Sequence, residues 1–405
     1  MQDAVPAPPA IPAEFDYVVL LFALFVVPRF LQRYGLPTAI TNLALGALAG
    51  MGLSLFAYDR TVALLSTLGI VSLFLFAGLE VTFSELRREA TVLLQHIALG
   101  VAALLGVALG VFWALDLPWR PAMLVSLALL TPSTGFILDS LASLKLTDQE
   151  RFWTKSKAVG SELVALGVLF IVLRSTGLRE LGTSTLALGA MIVLLPIAFR
   201  LFAVRIVPHA PKSEFAFLLM VAVVCAFVTR RLGVYYLVGA FVVGVTAQRF
   251  RERLPAMASE QMLHAVEVFA SFFVPFYFFA AGLHLRGEDF GWDALLTGGA
   301  FLLLAIPLRV ALVAAHRRLA MQEPVMRGIR IGVAMLPTLV FTLVIAEILR
   351  DQFLVPRHIF GGLIIYTLVN TLIPGFVLRV PPPEFDVSHA SDEATVGGTA
   401  GYLGT

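Results

Sequence analysis

One carboxylate in this sequence stands where an ion costs most. Glu162 lies in Lys157-Ala158-Val159-Gly160-Ser161-Glu162-Leu163-Val164-Ala165, about ten residues into an apolar run. At roughly 1.5 Å per residue that is about 15 Å deep, near the midplane of a bilayer. An ionised carboxylate there is costly unless a cation binds it, so the group is suited to hold either a proton or a cation. Ser161 beside it offers a neutral oxygen on an adjacent face. Arg309, in Ala305-Ile306-Pro307-Leu308-Arg309-Val310-Ala311, is the other deep charge, roughly 10 Å from the end of its run at His316. It fits either snorkelling or a permanent countercharge to Glu162. Glu267, within His264-Ala265-Val266-Glu267-Val268, reads as a relay carboxylate or as a helix-start acid near water. Glu80, Asp139 and Glu347 fall near helix ends, where solvated or capping roles are expected, and His96 reads as interfacial.

Two apolar runs carry a breaker near their centres: Leu130-Thr131-Pro132-Ser133-Thr134-Gly135 and Met335-Leu336-Pro337-Thr338. A helix interrupted inside lipid leaves backbone groups unpaired, which is tolerated where the break lines a cavity or meets another irregular segment. Two such breaks at equivalent positions point to an ion site made of half-helix ends and bare carbonyls. Thr131, Ser133 and Thr134 would add hydroxyl ligands, with Pro132, Pro337 and Thr338 marking the breaks.

These residues need a membrane frame, and composition supplies it. Hydrophobic residues make up 59% of the 405 and charged residues only 14%, against roughly a quarter charged in a soluble domain. Hydropathy and breakers predict an all-α polytopic chain of about thirteen spans: 15–32, 37–56, 60–78, 91–115, 120–142, 150–174, 181–206, 213–230, 233–249, 257–284, 290–316, 325–349 and 356–379. Residues 1–14 read as an extracytoplasmic segment without a signal-peptide pattern, 15–379 as the membrane domain, and 380–405 as a disordered tail. With the N-terminus outside, cytoplasmic loops collect roughly seventeen Lys and Arg, Lys157 and Arg317 among them, against about nine outside. That predicts N-terminus out, C-terminus in. The mild net charge of +2 carries no nucleic-acid footprint. Cys225, the single cysteine, reads as a small buried hydrophobe. There is no Walker loop, no His/Cys metal cluster and no Gly-x-Ser-x-Gly elbow, so neither an enzyme nor a cofactor is expected.

The chain also repeats itself. Phe74-Leu75-Phe76-Ala77-Gly78-Leu79-Glu80-Val81 matches Phe278-Phe279-Ala280-Ala281-Gly282-Leu283-His284-Leu285, and in each half a broken helix follows two spans later. Gly78 and Gly282 are about 200 residues apart, as are Pro132 and Pro337. An odd number of spans separates the halves, which makes the repeat inverted.

With those residues in place the chain resembles the cation:proton antiporter superfamily, in the branch of bacterial Na+/H+ exchangers and Kef-type K+ membrane domains. The similarity runs over about 15–379 and rests on four stretches. They are Leu68-Gly69-Ile70-Val71-Ser72-Leu73-Phe74-Leu75-Phe76-Ala77-Gly78-Leu79-Glu80, Thr131-Pro132-Ser133-Thr134, Leu237-Val238-Gly239-Ala240-Phe241-Val242-Val243-Gly244 and Phe273-Val274-Pro275-Phe276-Tyr277-Phe278-Phe279-Ala280-Ala281-Gly282-Leu283. The resemblance implies a homodimer in the plasma (inner) membrane. In each protomer a core is expected to move against a dimerisation domain, and two discontinuous helices to cross beside an acidic pair. That pair falls on Ser161-Glu162, with Glu162 as the cation and proton carrier and Arg309 as the basic partner. Glu replaces the usual Asp, Ser161 replaces an acid or amide, and Leu336-Pro337-Thr338-Leu339 replaces a Gly-Glu-Phe pattern. No nucleotide-binding regulatory domain is expected after the membrane domain.

The expectation is exchange of Na+ or K+ for H+ by alternating access. Ser161 does not titrate and a guanidinium stays protonated, so exchange should be electroneutral and one-for-one. Two other readings stay open. One is a non-transporting membrane sensor or scaffold. The other is an uncoupled channel or a small-organic-anion transporter that uses Arg309.

Overall fold

A computed structural model describes residues 13–378 apart from 53–54, 57, 82–88, 142–143, 176, 211–212, 234–235 and 252–259. Of the expected end segments 1–14 and 380–405, all but Ala13 and Glu14, which begin the first helix, lie outside the described residues, as does the side chain of Asp139. In chain order the helices are α1 (Ala13–Gln32), α2 (Thr38–Ala47), α3 (Arg60–Leu79), α4 (Ala90–Ala114), α5 (Trp119–Leu130), α6 (Thr134–Leu141), α7 (Asp148–Arg174) and α8 (Leu178–Arg205). They continue as α9 (Glu214–Arg231), α10 (Tyr236–Arg251), α11 (Glu260–Leu283), α12 (Trp292–Met321), α13 (Val325–Ala334), α14 (Leu339–Phe353) and α15 (Arg357–Val377). Among the described residues nine helices are long and apolar enough to span a bilayer, the run Trp119–Leu138 through the α5–α6 break included. Taking α13 with α14, bent by 54°, as one broken span, and counting the shorter α2, α9 and α10, gives about thirteen spans.

Local chemistry sets the ends. Pro37, Pro118, Pro324 and Pro356 each stand at the residue before a helix, where proline's fixed φ favours helix entry and continuation upstream is blocked. Thr147 and Glu150 close a capping box on α7. Asp59 caps α3 by accepting from the N–H groups of Thr61 and Val62. Helix α12 runs past His316 to Met321 and stops at Gln322, which adopts the left-handed conformation at φ 55°.

Packing follows the inverted repeat. Helix α3 packs on α10, and α11 packs on α2, so each half lends a helix to the other. Both motif glycines lie at these contacts. A Cβ on Gly78 would sit 2.4 Å from the carbonyl oxygen of Phe241, and one on Gly282 would sit 2.1 Å from that of Leu43. Only glycine lets the backbones approach so closely. The most extensive helix contacts fall into two bundles, α1–α3 with α8–α11 and α4–α7 with α12–α15. Contacts of α3 with α6 and of α7 with α8 join them. A further tie is the Lys155–Glu80 ion pair at 2.8 Å, so Glu80 is bridged to α7 rather than simply solvated.

Candidate ion site

The two breaks meet inside the second bundle. Helix α5 stops at Leu130 and α6 starts at Thr134; α13 stops at Ala334 and α14 starts at Leu339. Between them the chains bond directly, Ser133 N donating to Pro337 O at 2.9 Å. Two discontinuous helices therefore cross at their unwound centres, and each supplies partners that lipid cannot.

Every half-helix end at the crossing has a dedicated partner. At the start of α6, Glu162 of α7 accepts from Thr134 N at 3.1 Å. The side chain is buried, 3% exposed, and sits at the positive end of the α6 dipole. At the start of α14, Ser133 Oγ accepts from Val340 N at 3.0 Å and Phe341 N at 3.2 Å. At the end of α13, Arg309 donates to Leu336 O at 2.6 Å and Met335 O at 2.5 Å. At the end of α5, Tyr366 donates to Leu129 O at 2.6 Å and Thr342 to Ala128 O at 2.7 Å. Arg309 Nη1 also reaches Tyr366 Oη at 3.3 Å, which links the two carboxyl-terminal ends.

The sequence-derived candidates separate on this geometry. Glu162, Thr134, Arg309, Pro132, Pro337 and Thr338 all lie at the crossing, and Ser161 and Thr131 line a cavity of about 90 Å³ together with Pro132, Arg309 and His96. At about 30 Å³ per water, that space holds on the order of three waters. Thr134 Oγ1 is buried beside the Glu162 carboxylate, close enough to act on it as the backbone N–H of the same residue does, but short of standard hydrogen-bond geometry. Ser133 was expected as a ligand, but its oxygen already accepts two N–H groups, which occupies both lone pairs. It works as a cap across the two breaks. Arg309 is buried at 8% exposure, which corrects the snorkelling option, and it makes no ion pair with Glu162 among the described residues. Its charge meets the negative end of α13 instead. Thr338 Oγ1 lies 3.1 Å from Thr367 Oγ1 and accepts from Asn370 Nδ2 at 3.0 Å, a neutral network.

Glu267 is not brought to the crossing. Its side chain is 66% exposed and lies 3.8 Å from His264 on the same helix. Sequence reading missed a buried basic group beside the site. Lys157 and Arg317, taken as loop charges, are both fully buried, and His96, taken as interfacial, lines the cavity. The signal was the length of α12: a helix that continues to Met321 carries His316 and Arg317 inward against α7.

The profile of the transmembrane sodium/hydrogen exchanger family matches residues 19–381. The chain is 23% identical to "Probable Na(+)/H(+) antiporter 3" of Methanocaldococcus jannaschii, covering 90% of this chain and 95% of that one. It is 21% identical to "Probable Na(+)/H(+) antiporter GerT" of Bacillus cereus, over 68% of this chain and 75% of that one. Cation/H(+) antiporter 18 of Arabidopsis thaliana is 24% identical over 76% of this chain and 40% of its own length. Among solved structures, the sodium proton antiporter MjNhaP1 of M. jannaschii superposes with a TM-score of 0.65 at 14% identity, covering 91% of this chain and 94% of that one. That likeness is one of fold.

Proposed function

We propose, from the premise that the chain belongs to the transmembrane sodium/hydrogen exchanger family, that it exchanges Na+ or K+ for H+ across the plasma membrane by alternating access, one ion for one proton. The observation that carries this reading is Glu162, a buried carboxylate held on the first N–H of α6 where two broken helices cross, with the hydroxyl of Thr134 beside it at the same helix start. A carboxylate in such a place is stable when it holds a proton or a cation, and the two compete for it. Thr131, Ser161 and Thr134 are the neutral oxygens that replace part of the ion's hydration shell.

Arg309 acts as a fixed positive charge. Bound to two carbonyls and near Tyr366, it stays protonated through the cycle and is not free to capture an organic anion, which disfavours that alternative. Glu162 is then the group at the crossing that changes its load. The bundle of α4–α7 and α12–α15 is the moving core, and α1–α3 with α8–α11 is the scaffold through which two chains pair. The N-terminus faces outside, as the Lys and Arg distribution favours.

Proteoliposomes test this. A Na+ or K+ pulse is expected to dissipate a preset pH gradient in wild type. With the membrane potential clamped by K+ and valinomycin, the Na+ flux is expected to be the same at every potential, since about 2.3 kcal/mol per charge per 100 mV acts only on net charge moved. A flux that follows the potential would overturn the one-for-one ratio, and no cation-dependent proton flux would overturn exchange.

A further inference from the structure

Helices α7 and α12 bury a basic pair that the crossing itself does not use. Lys157 is fully buried, and its Nζ lies 3.0 Å from His316 Nδ1, its one hydrogen-bond partner among the described residues. With Lys157 charged, Nδ1 accepts and the ring proton sits on Nε2, which faces Gln95 Oε1 at 3.4 Å; with a neutral amine either nitrogen of the contact can donate. A charged Lys157 with a proton on Nδ1 as well would set two donors against each other. The pair therefore carries at most one positive charge while the contact lasts.

The surroundings leave that charge poorly balanced. The neighbouring carboxylates are already engaged: Glu323 takes Arg317 and Arg327, and Glu150 takes Arg330. The Trp153 ring lies under both Lys157, at 5.8 Å, and Arg317, at 5.0 Å. No carboxylate lies within ion-pairing distance of Lys157 among the described residues. Facing the pair from α4 is His96, whose ring centroid is 5.9 Å from that of His316. His96 lines the ion cavity. On α7 itself Glu162 follows five residues after Lys157, about 7.5 Å along the axis; on α12, Arg309 lies two turns before His316.

From this arrangement we propose that Lys157 and His316 form a second proton-binding site behind the ion cavity, whose charge sets how tightly a cation is taken at Glu162. The inference rests on the exchange reading above. A proton taken up by the pair adds a positive charge in buried space next to His96 of the cavity wall, and like charge repels the incoming cation. Protons then oppose the cation twice, by occupying Glu162 and by charging the pair. By linkage the pair releases its proton when the cation binds and regains it when the cation leaves, and the one-for-one ratio requires that it do both on the same side of the membrane.

Competition at a single carboxylate raises the apparent KM at most tenfold per pH unit. In wild type the slope of log KM against falling pH is expected to exceed one. In Lys157→Met, and independently in His316→Gln, it is expected to fall to one or less, with the maximal rate at alkaline pH within about threefold of wild type. A second measurement needs no transport: differential titration of purified protein between about pH 6 and about pH 9. There the Lys157→Met/His316→Gln double variant is expected to take up about one proton fewer per chain than wild type. Equal proton uptake, or a slope of one that neither variant changes, would overturn the second site. Missing exchange with a normal difference in uptake would overturn the transport reading and leave the proton site standing.

Discussion

The two broken helices descend from one repeated element, yet they are finished differently. At the first break, the exposed N–H end of α6 is met by a carboxylate, Glu162, while the carbonyl end of α5 is met by the neutral hydroxyls of Tyr366 and Thr342. The second break reverses this. The N–H end of α14 is met by the hydroxyl of Ser133, and the carbonyl end of α13 by the guanidinium of Arg309. Each charge stands at the dipole end of opposite sign, so both are favourable to the fold. Only one of them can lose its charge under physiological conditions. The symmetric backbone makes the crossing, and the asymmetric side chains give one break a carboxylate and the other a guanidinium, which under the proposed exchange separates a titrating site from a fixed support.

Removing the titrating group is the most severe way to break that asymmetry. Glu162→Gln keeps an oxygen to accept from Thr134 N but can neither release a proton nor balance a cation. Exchange is expected to fall by about a hundredfold or more, with the protein still folded by thermal shift. Transport within a few-fold of wild type would remove Glu162 from the mechanism.

The second break should fail through stability rather than through chemistry. Arg309→Met strips two buried carbonyls of their donors, and a loss of about 3 kcal/mol in unfolding free energy is expected. Arg309→Lys is expected to recover part of it, since it restores the charge without the fork. Thermal denaturation in detergent reads both; an unshifted midpoint in Arg309→Met would show that the carbonyls find other partners.

Proline replacement probes the breaks themselves. In Pro132→Ala/Pro337→Ala, cation KM is expected to rise several-fold while the protein inserts normally. The effect is limited because Ser133 still bonds to the carbonyl of residue 337 and caps α14, so tertiary contacts hold the chains open. An unchanged KM would make the prolines redundant.

The mildest change falls in the neutral network. Thr338→Val removes one acceptor from Asn370 and one contact with Thr367, for an expected cost of about 1 kcal/mol. Exchange should continue near the wild-type rate. A loss as deep as that of Glu162→Gln would mean that the second break carries the ion as well.

Sequence alone determined the broad frame. Apolar runs of about twenty residues can only be satisfied as spans. The matching Phe-Leu-Phe-Ala-Gly-Leu and Phe-Phe-Ala-Ala-Gly-Leu stretches at 74–79 and 278–283 marked where the halves correspond, and Pro132 and Pro337 where helices break. Depth along an apolar run was enough to single out Glu162 and Arg309, because a charge in the middle of such a run has no water to turn to. What tertiary structure decided was which partner each of them met. Whether Arg309 faced Glu162 or a helix end, whether Ser133 offered its oxygen to an ion or to Val340 and Phe341, and whether Lys157 lay in a loop or in the bundle all depended on contacts between segments from 27 to 207 residues apart. Hydropathy treats Lys157, His316 and Arg317 as the end of a span, since it counts charges along one helix. Their burial comes from α4, α7 and α12 closing around them, which is a property of three helices at once.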